Sequence, residues 1–129
     1  MAKAQGRVLI IDDNDTMRAI LRVILRGDDY DVVGEASDGE RGLEMALRLR
    51  PDVICLDVVM PKLGGLEVLA KLRAELAETP VLMITGNADR DTVNAAVSGG
   101  AAGYIVKPFN AARVLDAVGA ALGRGRAGA

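Results

Sequence analysis

The sequence predicts an α/β domain in which a five-stranded parallel sheet, in the order 2-1-3-4-5, carries helices on both faces. Two observations carry this. Apolar runs of strand length alternate five times with segments of helical period, through short connections and without any repeat of fixed period. Four of the runs also stop at a polar or charged residue: Val8-Leu9-Ile10-Ile11 at Asp12-Asp13, Val53-Ile54-Cys55-Leu56 at Asp57, Val81-Leu82-Met83-Ile84 at Thr85, and Tyr104-Ile105-Val106 at Lys107. In a parallel sheet these ends share the edge at which open α/β sheets bind ligands, and the expected order makes Asp12, Asp13 and Asp57 neighbours at the switch point.

In chain order, the first strand is expected over about Arg7 to Asp12 and the first helix over Asp15 to Arg26. Met17, Ile20, Leu21 and Ile24 mark the apolar face of that helix, and Asn14 or Asp15 is read as its cap. Arg18, Arg22 and Arg26 recur every four residues, which fits either a solvated face or a docking surface for an acidic partner. A weaker strand, Tyr30 to Ala36, precedes Ser37-Asp38-Gly39-Glu40, whose S-x-x-E form is that of a capping box opening a helix to Arg50. Pro51 marks entry to the third strand, whose four apolar residues before Asp57 predict burial on both sides.

After Asp57, the loop Met60 to Gly65 holds a proline and paired glycines, read as a backbone of unusual conformation. Leu66, Leu69, Leu72 and Leu76 predict the buried side of a third helix. The fourth strand follows Pro80, and a polar loop, Thr85 to Asp89, feeds a short helix near Asp91 to Ser98. Beyond Lys107-Pro108, Asn110 can cap a last helix with Val114, Leu115, Val118 and Leu122 inward. Residues 1–123 are read as one domain and 124–129 as a disordered tail.

Composition narrows the chemistry. At 129 residues and 50% apolar, one compact domain suffices, and a net charge of -2 offers no global field for nucleic acid or an acidic membrane. No apolar stretch has signal-peptide or membrane-span length, so a cytoplasmic setting is expected. Histidine is absent, which removes imidazole catalysis and imidazole metal ligands within the chain. Cys55, inside the central apolar run, reads as a small buried hydrophobe.

Three carboxylates held together repel one another unless a proton or a cation intervenes. All-oxygen ligands favour Mg²⁺, which usually keeps several waters that a phosphate can displace. Adjacent acids after a strand can also be a simple turn into a helix. Thr85 and Lys107 at the same edge add a hydroxyl and an ammonium that can bind phosphoryl oxygens, leaving Asp57 on the central strand as candidate nucleophile.

With Ile11-Asp12-Asp13, Leu56-Asp57-Val58-Val59-Met60-Pro61, Gly64-Gly65, Ile84-Thr85-Gly86 and Val106-Lys107-Pro108-Phe109 in this order, the chain resembles, over nearly its whole length, a receiver domain of two-component response regulators. The resemblance implies the flavodoxin-like receiver fold and a signalling module rather than an enzyme. It implies that Asp57 accepts a phosphoryl group from a phosphohistidine on a histidine kinase or histidine phosphotransfer protein. Asp12, Asp13, Asp57 and the backbone carbonyl of Val59 would hold Mg²⁺. Thr85 would contact the phosphoryl group, Lys107 would pair with the phosphorylated site, and Tyr104 would change rotamer with Thr85, core packing being the alternative for Tyr104. The fourth helix, fifth strand and fifth helix would form the output face, the first helix would lie where relatives dock their phosphodonor, and the bond before Pro108 would commonly be cis. Val59 and Asn87 occupy places that vary among relatives and influence the lifetime of the acyl phosphate. A stand-alone, chemotaxis-regulator-like protein is expected, monomeric or dimerising on phosphorylation, with an unidentified protein target and no nucleic-acid or membrane partner.

Two rivals share parts of this pattern. Asp13-Asn14-Asp15 matches the D-x-D start of phosphatases with an aspartyl-phosphate intermediate, similar to the haloacid dehalogenase class, but the chain has no residues to spare for their cap. A flavodoxin-like electron carrier shares the architecture, yet its first loop must receive a phosphate that Asp12-Asp13-Asn14-Asp15 would repel without a metal. Gly123-Arg124-Gly125-Arg126-Ala127-Gly128 fits G-x-G-x-x-G without the strand and helix that give that motif meaning.

Overall fold

The computed structural model describes residues 5–86 and 90–123. Strand and helix alternate as β1 (Arg7–Ile11), α1 (Asp15–Gly27), β2 (Asp31–Ala36), α2 (Gly39–Leu49), β3 (Val53–Asp57), α3 (Gly65–Glu75), β4 (Val81–Thr85), α4 (Arg90–Ser98), β5 (Gly103–Val106) and α5 (Ala111–Ala121). The strands form one sheet of order β2-β1-β3-β4-β5, every pair parallel, as expected. Arg124 to Arg126, and Asn87 with its loop neighbours, lie outside the described residues.

Strand alternation divides the core in two. Val8, Ile10, Val53, Cys55, Leu82, Ile84 and Ile105 meet Leu21 and Leu25 of α1 and Val114, Ala117 and Val118 of α5. Leu9, Ile11, Ile54, Leu56, Val81 and Met83 meet Ala46 of α2, Val68, Leu69 and Leu72 of α3, and Ala96 of α4. The central strands β1, β3 and β4 are thus apolar on both sides because a helix layer covers each side. Burial pushes the Cys55 thiol up to about 12, consistent with an inert packing residue.

Several local expectations change. α2 is capped by Asp38, whose side chain accepts from the Arg41 N–H at 2.8 Å, so Ser37 is not the cap and the S-x-x-E reading fails. The helix starts one residue later than that motif requires. In α1, Leu21 and Leu25 are the buried residues and Ile20 is 42% exposed, because the helix turns its stripe one position away from the expected one. Asn14 is the cap, accepting from the Met17 N–H at 2.8 Å. In α3, Val68 joins Leu69 and Leu72 in the core, whereas Leu66 is only partly buried.

The loop after β3 also differs from its reading. Gly64 has an ordinary φ of -72°, and the left-handed residue is Lys62 at φ 65°. Gly65 is needed for space instead: a Cβ there would overlap the carbonyl oxygen of Asp57 and lie 2.7 Å from Cα of Val58. The Gly65 N–H donates to the Val58 carbonyl at 2.9 Å, so the first turn of α3 rests directly on the end of β3.

Candidate functional site

Register brings the acids together. Ile11 pairs with Leu56 across β1 and β3, so Asp12 and Asp57 are the next residues along the same edge. On the other flank, Thr85 pairs with Val106, and the Lys107 N–H donates to the Thr85 carbonyl at 2.7 Å. Asp12, Asp13 and Asp57 each offer a carboxylate oxygen, and these atoms lie within 4.8 Å of one another. The Lys107 ammonium stands 3.7 Å from Asp12 Oδ2 and 3.6 Å from Asp57 Oδ1. A cleft of about 470 Å³, lined by Asp13, Asn14, Met17, Asp57, Val59, Gly86 and Lys107, opens over this group.

Asp12 is 0% exposed. Its Oδ1 accepts from the Asn14 N–H at 2.9 Å, while its buried Oδ2 has no hydrogen-bond partner. A buried carboxylate oxygen without a donor is costly and calls for a cation. Asp57 Oδ1 accepts from the Val59 N–H at 3.4 Å. Burial, then the Asp12 charge, push the Asp57 carboxyl up to about 6, against the opposing pull of Lys107 and the Val59 N–H, with Asp13 adding a smaller upward push. One ammonium therefore does not balance three carboxylates. The donor set, all oxygen and partly desolvated, fits a hard divalent cation.

Strand alternation separates the remaining candidates. Asp57 continues the face of Val53 and Cys55, toward α1 and α5, whereas Thr85 continues that of Val81 and Met83, toward α3 and α4. Tyr104 alternates with the buried Ile105 and is 36% exposed, so it is not the core-packing residue of the alternative reading. Thr85 is buried. The peptide bond between Lys107 and Pro108 is cis.

The arginine stripe on α1 resolves into two parts. The Arg22 Nη1 donates to both carboxylate oxygens of Glu35, at 2.9 and 2.7 Å, and Arg18 reaches Asp15 and the Asp12 carbonyl. These side chains are engaged within the domain, whereas Arg26 is exposed and makes no ion pair among the described residues. Beside these charges α1 carries an apolar patch, a shallow groove of about 330 Å³ lined by Thr16, Ala19, Ile20, Val23 and Ile24, with Val23 70% exposed. Sequence reasoning missed this groove because a long-range partner on β2 decides which arginines remain free.

A five-unit receiver topology with three acids, a threonine and a lysine at the carboxyl edge defines a class, and comparison gives the same answer. Residues 8–119 match the response regulator receiver domain model, and the chain belongs to that family, the receiver domains of two-component response regulators. It is 37% identical over 112 residues to the chemotaxis protein CheY of Listeria monocytogenes, covering 87% of this chain and 94% of that one. It is 39% identical over 116 residues to the transcriptional regulatory protein LiaR of Bacillus subtilis, spanning 89% of this chain but only 55% of that longer relative. Among solved structures it resembles the receiver domain of the response regulator NarL from Mycobacterium tuberculosis, with TM-score 0.88 and 34% identity over 94% of this chain and 99% of that one. The CheX-CheY-BeF₃-Mg complex from Borrelia burgdorferi contains a chain similar at TM-score 0.87 and 28% identity, covering 91% of this chain and 89% of that one. No helix among the described residues is long and apolar enough to cross a membrane.

Proposed function

We propose that this chain is a phosphoacceptor signalling module in which Asp57 receives a phosphoryl group from a phosphohistidine of a histidine kinase or histidine phosphotransfer protein. The observation that carries the reading is the meeting of Asp12, Asp13 and Asp57 within 4.8 Å around an unsatisfied buried Oδ2 of Asp12, beside the Lys107 ammonium. Asp12, Asp13, Asp57 and the Val59 carbonyl would hold Mg²⁺. When bound, the ion neutralises the acids and the phosphoryl oxygens. A carboxylate oxygen of Asp57 attacks phosphorus, the P–N bond breaks, and its electron pair leaves on the donor imidazole. Lys107 compensates negative charge on the Asp57 side of the cleft, and Thr85 supplies a hydroxyl at the adjoining strand end.

The response is a population shift. Phosphorylation favours a conformer in which Thr85 is drawn toward the phosphoryl group and Tyr104 leaves its exposed position, remodelling the face of α4, β5 and α5 for a protein target. The apolar groove on α1 begins at Thr16, next in sequence to Met17 of the cleft, and is the surface offered to the phosphodonor. We read the protein as cytoplasmic and monomeric before phosphorylation, and without nucleic-acid or membrane partners. The phosphatase alternative needs Asp13 as nucleophile with Asp15 beside it. Asp15 is instead engaged with Arg18 on the exposed side of α1, which supports Asp57 as the acceptor.

The test is intact mass after acetyl phosphate or phosphoramidate treatment, with Mg²⁺ and with chelator. One base-labile phosphoryl group that requires the metal and is absent from Asp57→Asn is the expected result. Retention of a labile phosphate by Asp57→Asn contradicts the assignment.

A further inference from the structure

We infer that Arg18 is a positioning residue for the acidic cluster: its guanidinium holds the peptide between Asp12 and Asp13 so that both carboxylates are presented to a divalent cation. The inference rests on the metal-centred reading of the site given above. The Asp12 N–H is fastened to β2 through the Ala36 carbonyl at 3.0 Å, but its own carbonyl leaves the sheet and accepts from Arg18 Nη1 at 2.6 Å. That carbonyl and the Asp13 nitrogen share one rigid plane, so holding the first sets the departure of the second. Asp13 needs such help, because among the described residues its carboxylate makes no hydrogen bond or ion pair, whereas Asp12 Oδ1 is fixed by the Asn14 N–H.

Arg18 is itself held on several sides. Its side chain is 15% exposed, Nη2 pairs with Asp15, and Nε lies 3.9 Å from Glu35 Oε1. Glu35 is steadied in turn by both oxygens accepting from Arg22. The clamp thus ties the metal-binding loop to α1 behind it and to β2 beside it. Its charge argues in the opposite direction from its geometry. A cation near three carboxylates weakens divalent-ion binding if charge dominates, whereas a clamp that orders two ligands strengthens it.

Calorimetric Mg²⁺ titration of the wild-type chain, Arg18→Ala, Arg18→Lys and Asp13→Asn, with melts in chelator, separates the two. We expect Arg18→Ala to bind Mg²⁺ about tenfold more weakly at a similar melting temperature, the size typical for groups that orient metal ligands. Arg18→Lys, which keeps the charge but only one donor group, should fall between. Mg²⁺ binding by Arg18→Ala as tight as or tighter than wild type overturns the inference. If Arg18→Ala does not fold, Arg18→Met, which retains the apolar stem, is read by the same criterion. A wild-type chain that does not bind Mg²⁺, or an Asp13→Asn chain that binds it equally well, overturns the metal-centred reading and this inference with it; failure of Arg18→Ala alone leaves that reading intact.

Discussion

The backbone of Gly65 touches the carbonyl of Asp57 so closely that even one methyl group between them is excluded. β3 and α3 are therefore braced at the position of the candidate nucleophile, through the Gly65 N–H to Val58 carbonyl bond.

Gly65→Ala should accordingly lower stability by roughly 1–3 kcal/mol, the usual cost of overpacking, and slow phosphoryl uptake from acetyl phosphate. Urea unfolding and mass-detected labelling measure the two effects. A variant with wild-type stability would show that α3 can shift away from β3 at no cost.

The raised Asp57 carboxyl makes stability pH-dependent in the absence of metal. Unfolded, the group titrates near 3.8, and folded near 6, so between these values the native state keeps a proton that the unfolded state has released. Stability is then highest below about 4, falls as pH rises toward 6, and is level above, by roughly 3 kcal/mol at most. In chelator at pH 8, Asp57→Asn should be more stable than wild type by about 1–3 kcal/mol, and the difference should fade toward pH 4. Mg²⁺ at a hundred times its dissociation constant should restore about 2.7 kcal/mol to the wild-type chain.

Lys107 opposes that upward shift from 3.6 Å. Lys107→Ala should therefore raise the Asp57 titration midpoint further, which carboxyl-labelled NMR detects directly. In chelator at pH 8, stability should fall by about 1–3 kcal/mol because two buried carboxylates lose their cation, and with Mg²⁺ present the fold should be kept while the phosphorylation-induced change at Tyr104 is lost. A midpoint that falls would show that Lys107 does not act on Asp57 through charge.

The groove on α1 gives a test of donor docking that leaves the chemistry alone. Ile20→Lys and Val23→Glu together should slow transfer from a histidine phosphotransfer protein by at least about tenfold, in line with loss of a buried apolar anchor. Labelling by acetyl phosphate should be unchanged. Equal slowing with both donors would place the damage in the fold rather than in docking.

Four strands are legible because each is a short apolar run closed by a polar residue, and β1, β3 and β4 are buried on both sides, whereas β2 carries Asp31, Gly34 and Glu35 and reads more weakly. The same pattern puts Asp12, Asp13, Asp57, Thr85 and Lys107 on one edge from the sequence alone. What escaped depends on relations between distant parts of the chain. Whether Arg22 faces solvent is decided by Glu35, 13 residues away on β2. Asp38 displaced Ser37 as cap because the helix begins at Gly39, and both residues are plausible caps in isolation. In sequence the paired glycines suggest conformational freedom, yet Gly65 matters for its missing Cβ, which the approach of β3 explains. Tyr104 falls on the α4 side of the sheet by alternation, but its exposure follows from what α4 leaves uncovered.

The opposite orientations of Asp57 and Thr85 have an evolutionary consequence. On the proposed reading, Asp57 faces the layer of α1 and α5 while Thr85 and Tyr104 open toward the layer of α3 and α4, so that α1 serves the donor, α4 the target, and α5 borders both. A gene duplicate can then drift on α4 and keep α1, acquiring a new listener without losing its old informant.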